Sequence, residues 1–105
     1  MELDAAAGPD GVRTTVLGIN LAAGQQLQHV VPPGVWFGAA PCEGTAYALV
    51  GCTVAPGFEF SKLEMGDAER LKAEFPSPAA AAWIDRLLAA PAPEAAAEAE
   101  VAAQE

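Results

Sequence analysis

Proline and glycine turns divide the first sixty residues of this chain into short segments. Pro32-Pro33-Gly34 cannot lie inside a paired strand, because two successive residues lack an N–H donor and glycine permits unusual backbone angles. Gly8-Pro9-Asp10-Gly11 combines a fixed φ, an Asp side chain that bonds nearby backbone and a permissive glycine, so it predicts a hairpin turn. Ala55-Pro56-Gly57 predicts another reversal. This spacing of turns favours short strands.

The segments between the turns have strand-like composition. Val12, Thr14 and Val16 alternate with Arg13 and Thr15, as in a pleated strand with one face inward. The segment 45–54 is the longest strand candidate, because it is rich in Tyr, Leu, Val and Thr. The sequence therefore predicts a mainly β fold, with strands over 12–17, 25–31, 35–39, 45–54 and 58–60.

Two short helices are predicted after the strands. Asp67 is a suitable N-cap for a helix through Phe75, and Pro76 ends that helix. Ser77 followed by Pro78 begins a second helix, which carries an apolar stripe through Leu88. From residue 89 the chain is mostly Ala, Pro and Glu, which is too little apolar surface to offset the entropy of ordering. We expect a domain over 1–88 and a disordered acidic tail over 89–105.

The charge of the chain excludes several classes of partner. Fourteen acidic side chains against five basic ones give a formal net charge of −9. Nucleic acids bind mainly through Lys and Arg, so DNA and RNA are poor partners, as are anionic membrane surfaces. No apolar run approaches the roughly 20 residues that span a bilayer, and Met1-Glu2-Leu3-Asp4 lacks the positive start of a secretory signal. We predict a cytoplasmic protein.

The sequence contains no complete catalytic or metal-binding constellation. His29 is the only histidine, whereas imidazole metal sites usually use two or three. Cys42 and Cys52 lack CxxC spacing, so two reduced thiols are expected. Neither Ser61 nor Ser77 occupies a nucleophile elbow. The strand aromatics could line a ligand site, but in so small a protein we expect most of them to be core.

The order of motifs resembles a known family. The stretches that carry the resemblance are Gly11-Val12-Arg13, Leu21-Ala22-Ala23-Gly24-Gln25, Val31-Pro32-Pro33-Gly34-Val35-Trp36-Phe37, the run from Tyr47 to Phe60 that contains LVGCTVAPGFEF, and the Phe75-Pro76 helix end. From Leu3 to Leu88 the chain resembles the uncharacterised small cupins of bacteria and yeast (DUF985-type), which have an RmlC-like jelly roll. The resemblance implies a double-stranded β-helix barrel, usually dimeric, whose mouth could hold a small polar or carbohydrate-like molecule.

The chain departs from that family in two ways. Full-length members carry the first cupin motif, with its His and Glu residues, before the segment that matches Leu3, so we expect a partial jelly roll without this N-terminal half. Metal-binding cupins place a histidine where this chain has Phe37, so we expect no metal and no cofactor, with Phe37 pointing into the barrel. The residues expected near the barrel mouth are His29, Trp36, Phe37 and Tyr47.

Three functional hypotheses remain open at this point. The first is a cupin that binds a small polar ligand, with an epimerase-like or isomerase-like activity only by family resemblance. The second is a non-catalytic interaction or structural half-barrel, working as a homodimer or with a complementing subunit, because unpaired strand edges invite association. The third, a metal-dependent oxygenase, is disfavoured because no pair of histidines is present.

Overall fold

The computed structural model describes residues 1–88, and the tail predicted over 89–105 lies outside them. Within the described residues the chain forms a small sheet followed by two helices. The three strands have two residues each: β1 (Glu2–Leu3), β2 (Val12–Arg13) and β3 (Trp36–Phe37). The helices are α1 (Ala68–Glu74) and α2 (Pro78–Leu88). Short 3₁₀ helices occupy Leu21–Ala23 and Phe60–Lys62.

The sheet is open and antiparallel, in the order β2-β1-β3. β1 and β2 form a hairpin that closes at the predicted turn, where the Gly11 amide donates to the Gly8 carbonyl at 3.1 Å. Gly11 is buried at a φ of +66°, a left-handed conformation that glycine adopts without steric cost. The turn chemistry predicted for Gly8-Pro9-Asp10-Gly11 is therefore confirmed.

Side-chain caps fix both helix starts. The Asp67 carboxylate accepts from the Arg70 amide at 2.9 Å, which satisfies a backbone donor in the first turn of α1. The Ser77 hydroxyl accepts from the Ala80 amide at 3.1 Å and donates to the Asp10 carbonyl at 2.6 Å, which joins the start of α2 to the hairpin turn. Both predicted helices are confirmed. Neither of these described helices is long and apolar enough to cross a bilayer.

The core lies between the sheet and the two helices. Its buried members are few, and partly buried apolar residues from β2 and β3 pack around them. The buried apolar side chains are Leu3, Leu71, Phe75, Ala80 and Ile84. The arrangement is a two-layer α/β sandwich with one small core.

The predicted mainly β jelly roll is wrong for the described residues, which are 9% strand and 27% helix. The segment 45–54 is exposed along its whole length and forms no strand. The segment 25–31 forms no strand either, and its only β-type pairing is an isolated bridge between Leu17 and Gln26. The physical reason is that a strand needs a neighbour to pair its backbone groups, and β-propensity alone cannot supply one.

Candidate functional site

The register of the sheet separates a polar row of residues from an apolar row. Glu2 pairs with Arg13 on one side and Phe37 on the other, so these three residues share one face. The alternate residues, Val12, Leu3 and Trp36, share the opposite face, which packs against the helices. The polar face therefore lies away from the core.

Glu2 is a buried carboxylate on this polar face. Its side chain is 3% exposed, and its Oε2 lies 3.3 Å from Nε2 of His29 and 3.8 Å from the Arg13 guanidinium. Arg13 also lies 3.9 Å from a carboxylate oxygen of Asp4. Within residues 1–88, no hydrogen bond forms to either carboxylate oxygen of Glu2 or to the Nε2 atom of His29. A buried polar group without a hydrogen bond is costly, which makes the cluster unusual.

The residues near Glu2 do not fit the metal centre that many cupins carry. Glu2 and His29 offer one oxygen and one nitrogen ligand, but the Arg13 cation lies beside the same Glu2 oxygen and would repel a metal ion. In the described chain no group of three or more His, Cys, Asp or Glu side chains converges on a point. First-row metals usually need at least three protein ligands.

A polar groove lies beside Trp36. It has a volume of about 230 Å³ and is lined by Gly34, Val35, Trp36, Lys62 and Glu64. Lys62 pairs with Glu59 at 3.2 Å, and Glu64 pairs with Arg70 at 2.7 Å, so both charges are held at its rim. The groove combines an indole with one cation and one anion, and the turn at Gly34 bounds it.

An apolar cavity of about 210 Å³ separates part of the sheet from the helices. Its walls include Met1, Leu3, Trp36, Ile84 and Leu87. Apart from the indole N–H of Trp36, these groups offer no polar side-chain atom that could orient a ligand. We interpret the cavity as incomplete packing of the small core.

The sequence from 14 to 58, here called the uncharged segment, contains a single formal charge, Glu43. Most of the large apolar side chains that are exposed in the described chain lie in this segment. They are Val16, Leu17, Ile19, Leu21, Leu27, Val30, Phe37, Tyr47, Leu49, Val50, Val54 and Phe58. Large contiguous apolar patches are uncommon on soluble monomers and often mark a binding surface.

The four predicted site residues do not converge. His29 contacts Glu2, and Phe37 lies on the same sheet face with two thirds of its surface exposed. Trp36 lies on the opposite face, and Tyr47 is 84% exposed in the uncharged segment. Their part in ligand binding stays a prediction. Sequence reasoning missed Glu2 and Arg13, because only the strand register reveals that they flank each other beneath His29.

Comparison with known proteins supports the resemblance to the cupin family. A family model described as Cupin superfamily (DUF985) matches residues 1–66, which include all three strands. No curated protein and no solved structure matches the chain. The family match extends over more than half of the sequence, and the chain belongs to the cupin superfamily (DUF985).

Proposed function

We propose that this cupin-family chain is an association module, that the uncharged segment is its contact surface, and that its partner is a second copy of itself. The observation that carries the proposal is the exposure of apolar side chains in this segment. Leu49 is 93% exposed and Ile19 is 89% exposed. Burying one such side chain on association releases about 1.5–3 kcal/mol. Association itself costs about 4–15 kcal/mol, so several of the twelve exposed side chains must be buried together.

The distribution of charge supports a second copy as the partner. The chain carries a net charge of −9, so two copies repel one another where their acidic residues face each other. The uncharged segment contributes only Glu43 to that charge. Two copies that meet through this segment therefore bury apolar surface and keep their other acidic groups apart.

The backbone of the segment supports the same proposal. Residues 45–54 have the composition of a strand and are exposed along their length, without a strand partner in the described chain. Unpaired backbone groups in such a segment are ready to pair with an equivalent segment of another chain. Pairing between copies would give 45–54 the neighbour that a single copy does not supply.

Light scattering coupled to size exclusion tests the association. The full chain should have a mass of twice 10.7 kDa at high concentration and dissociate on dilution. Leu49→Glu should shift the equilibrium to the monomer while leaving the far-UV circular dichroism unchanged, because Leu49 packs against almost nothing within one copy. Ala73→Glu is the matched control, since Ala73 is exposed on α1 outside the segment. A monomer at every concentration, or equal effects of the two variants, would refute the proposal.

A second candidate function, the binding of a small polar or carbohydrate-like molecule, is supported by the groove beside Trp36. Sugar rings pack on aromatic side chains, and their hydroxyl groups hydrogen-bond to charged groups such as Lys62 and Glu64. The groove is small, so it suits one monosaccharide or sugar acid. We assign no reaction to it. The cytoplasmic location follows from the sequence and remains a prediction.

Thermal shift and calorimetry with a panel of monosaccharides and sugar acids test this second function. A ligand should raise the Tm of the full chain, and Glu64→Gln should remove that shift. Glu69→Gln, on an exposed position of α1, is the control for loss of one negative charge. The function is contradicted when no compound binds, or when the Glu69 variant loses binding as well.

A further inference from the structure

The loop over residues 16–26 is closed by its own hydrogen bonds. At its base, the Gln26 amide donates to the Val16 carbonyl, and the Gly18 amide donates to the Gln26 carbonyl, both at 2.9 Å. Its far end is shaped by the 3₁₀ helix Leu21–Ala23. A compact loop whose two ends meet and which is held by its own groups is an Ω-loop, and such loops are frequently functional. We call it the 16–26 loop.

The polar side chains of the 16–26 loop bond to its backbone. The Gln25 side-chain oxygen accepts from the Asn20 amide at 3.0 Å, and the Asn20 side-chain oxygen accepts from the Ala23 amide at 3.2 Å. A Cβ at Gly18 would collide with the Gln25 side-chain oxygen, so glycine leaves the room that this side chain occupies. The loop therefore has a defined shape in a single copy.

The large apolar side chains of the 16–26 loop face solvent. Ile19 is almost fully exposed, Leu21 is more than half exposed and Leu17 is about half exposed. Exposed apolar groups gain nothing from the hydrophobic effect until another molecule covers them. The loop thus uses its polar groups to hold its own shape and presents its apolar groups outward, as a surface that binds a partner does.

Other exposed parts of the uncharged segment are not held in this way. Residues 27–31 and 46–54 make no backbone hydrogen bond within the described chain, although Leu49 is as exposed as Ile19. A segment that becomes ordered on binding loses part of its binding free energy to that ordering, whereas a preformed loop does not. Equal buried area therefore contributes more affinity on the 16–26 loop than on 46–54.

The charge of the loop suits a second copy of the chain as its partner. Between Arg13 and Glu43 the sequence contains no Asp, Glu, Lys or Arg. Each copy has a net charge of −9, so surfaces that carry acidic groups repel the same surfaces of another copy. The 16–26 loop can approach a second copy without adding to that repulsion.

We propose that the 16–26 loop is the preformed anchor of the association surface, and that Ile19 packs against the uncharged segment of a second copy. Leu17 and Leu21 lie beside it in the same contact. The inference rests on the proposed self-association and identifies the part of the surface that supplies most of its affinity.

Sedimentation equilibrium of the full chain tests the anchor, because it measures the dissociation constant of the dimer. Ile19→Ala should raise this constant about a hundredfold, from a factor of about ten for each copy, as for a side chain that anchors an interface. Leu27→Ala is the matched control. It removes the same number of carbon atoms from another largely exposed side chain of the uncharged segment, just outside the loop, and should raise the constant by no more than about tenfold.

A second pair of variants tests whether the shape of the loop matters. Asn20→Ala combined with Gln25→Ala removes both side-chain bonds and leaves the apolar groups in place. The dissociation constant should rise about tenfold, from a factor of about three for each copy whose loop is less often in the binding shape. Gln26→Ala combined with Gln28→Ala is the control, since these two side chains make no hydrogen bond in the described chain and their loss should change little.

Hydrogen exchange at a concentration where the chain is monomeric provides a measurement that does not depend on association. The loop amides that donate hydrogen bonds, such as those of Gly18 and Gln26, should exchange more slowly than amides in 46–54, once intrinsic rates are corrected. The Asn20 and Gln25 double variant should lose this protection. Unchanged exchange in α1 and α2 confirms that every variant folds.

The outcomes separate the anchor from the association itself. Equal dissociation constants for the Ile19 and Leu27 variants, or for the two double variants, would overturn the anchor and leave self-association standing. Loop amides that exchange as fast as those of 46–54 would do the same. A wild-type chain that is monomeric at every concentration would refute the self-association and the anchor together.

Discussion

Truncation of one core side chain tests whether the stability of this protein resides in its small core. Ile84 on α2 is 2% exposed and packs in a cluster of only five buried apolar residues. Replacing Ile84 with Ala removes buried carbon atoms and leaves a cavity, which costs 2–5 kcal/mol in other cores, and we expect about 3 kcal/mol here. A domain of this size has roughly 4–13 kcal/mol of unfolding free energy, and few buried residues place it near the low end.

The matched control is Leu49→Ala in the uncharged segment. Leu49 is 93% exposed, so its truncation should change the free energy of unfolding of a single copy by less than about 0.5 kcal/mol. Urea unfolding and thermal unfolding followed by circular dichroism, at a concentration where the chain is monomeric, measure both variants. We expect Ile84→Ala to lower the Tm by about 12–24 °C, from 4–8 °C per kcal/mol in domains of this size. Equal costs for the two variants, or a larger cost at Leu49, would refute the placement of the core.

Four further substitutions, one of them a control, probe local features of the fold by the same unfolding assay. Gly11→Ala should destabilise the fold by about 1–2 kcal/mol, because Gly11 has a positive φ and a Cβ there meets the Phe75 ring at 3.2 Å. Gly24→Ala, at a φ of +83° with open space around it, should cost less. A larger cost at Gly24 than at Gly11 would contradict this reasoning. Ser77→Ala should cost about 1–2 kcal/mol, since it removes the α2 cap and the bond to Asp10; no loss would mean that water replaces both bonds. Asp85→Asn should lower the free energy of unfolding by less than about 1 kcal/mol, because the ion pair of Asp85 with Lys72 is largely exposed. A larger loss would mean that solvent screens this ion pair less than its exposure indicates.

Features set by neighbouring residues could be predicted from the sequence. The caps at Asp67 and Ser77 located both helices, since capping depends on a side chain and the next two or three amides. The hairpin turn followed equally from Gly8-Pro9-Asp10-Gly11. The strand over 45–54 was predicted from its composition alone, and composition does not provide the second strand that a ladder requires.

In the candidate site, too, local features could be predicted from the sequence and contacts between distant residues could not. His29 was singled out because it is the only histidine, a property visible in the sequence. Its partner Glu2 was not, because the pairing of residues 2 and 13 and the approach of residue 29 are set by strand register and by a loop path. Trp36 and Phe37 are adjacent in sequence, but they lie on opposite faces of the sheet because strand side chains alternate.

The core joins Leu3 to Ile84, and the bond from Ser77 to Asp10 spans 67 positions. During translation, the first strand must therefore wait for the second helix before it can be buried. Throughout that interval the apolar stretch between them is exposed to solvent. Contacts this distant in sequence also slow folding, because a large loop must close before the first of them forms.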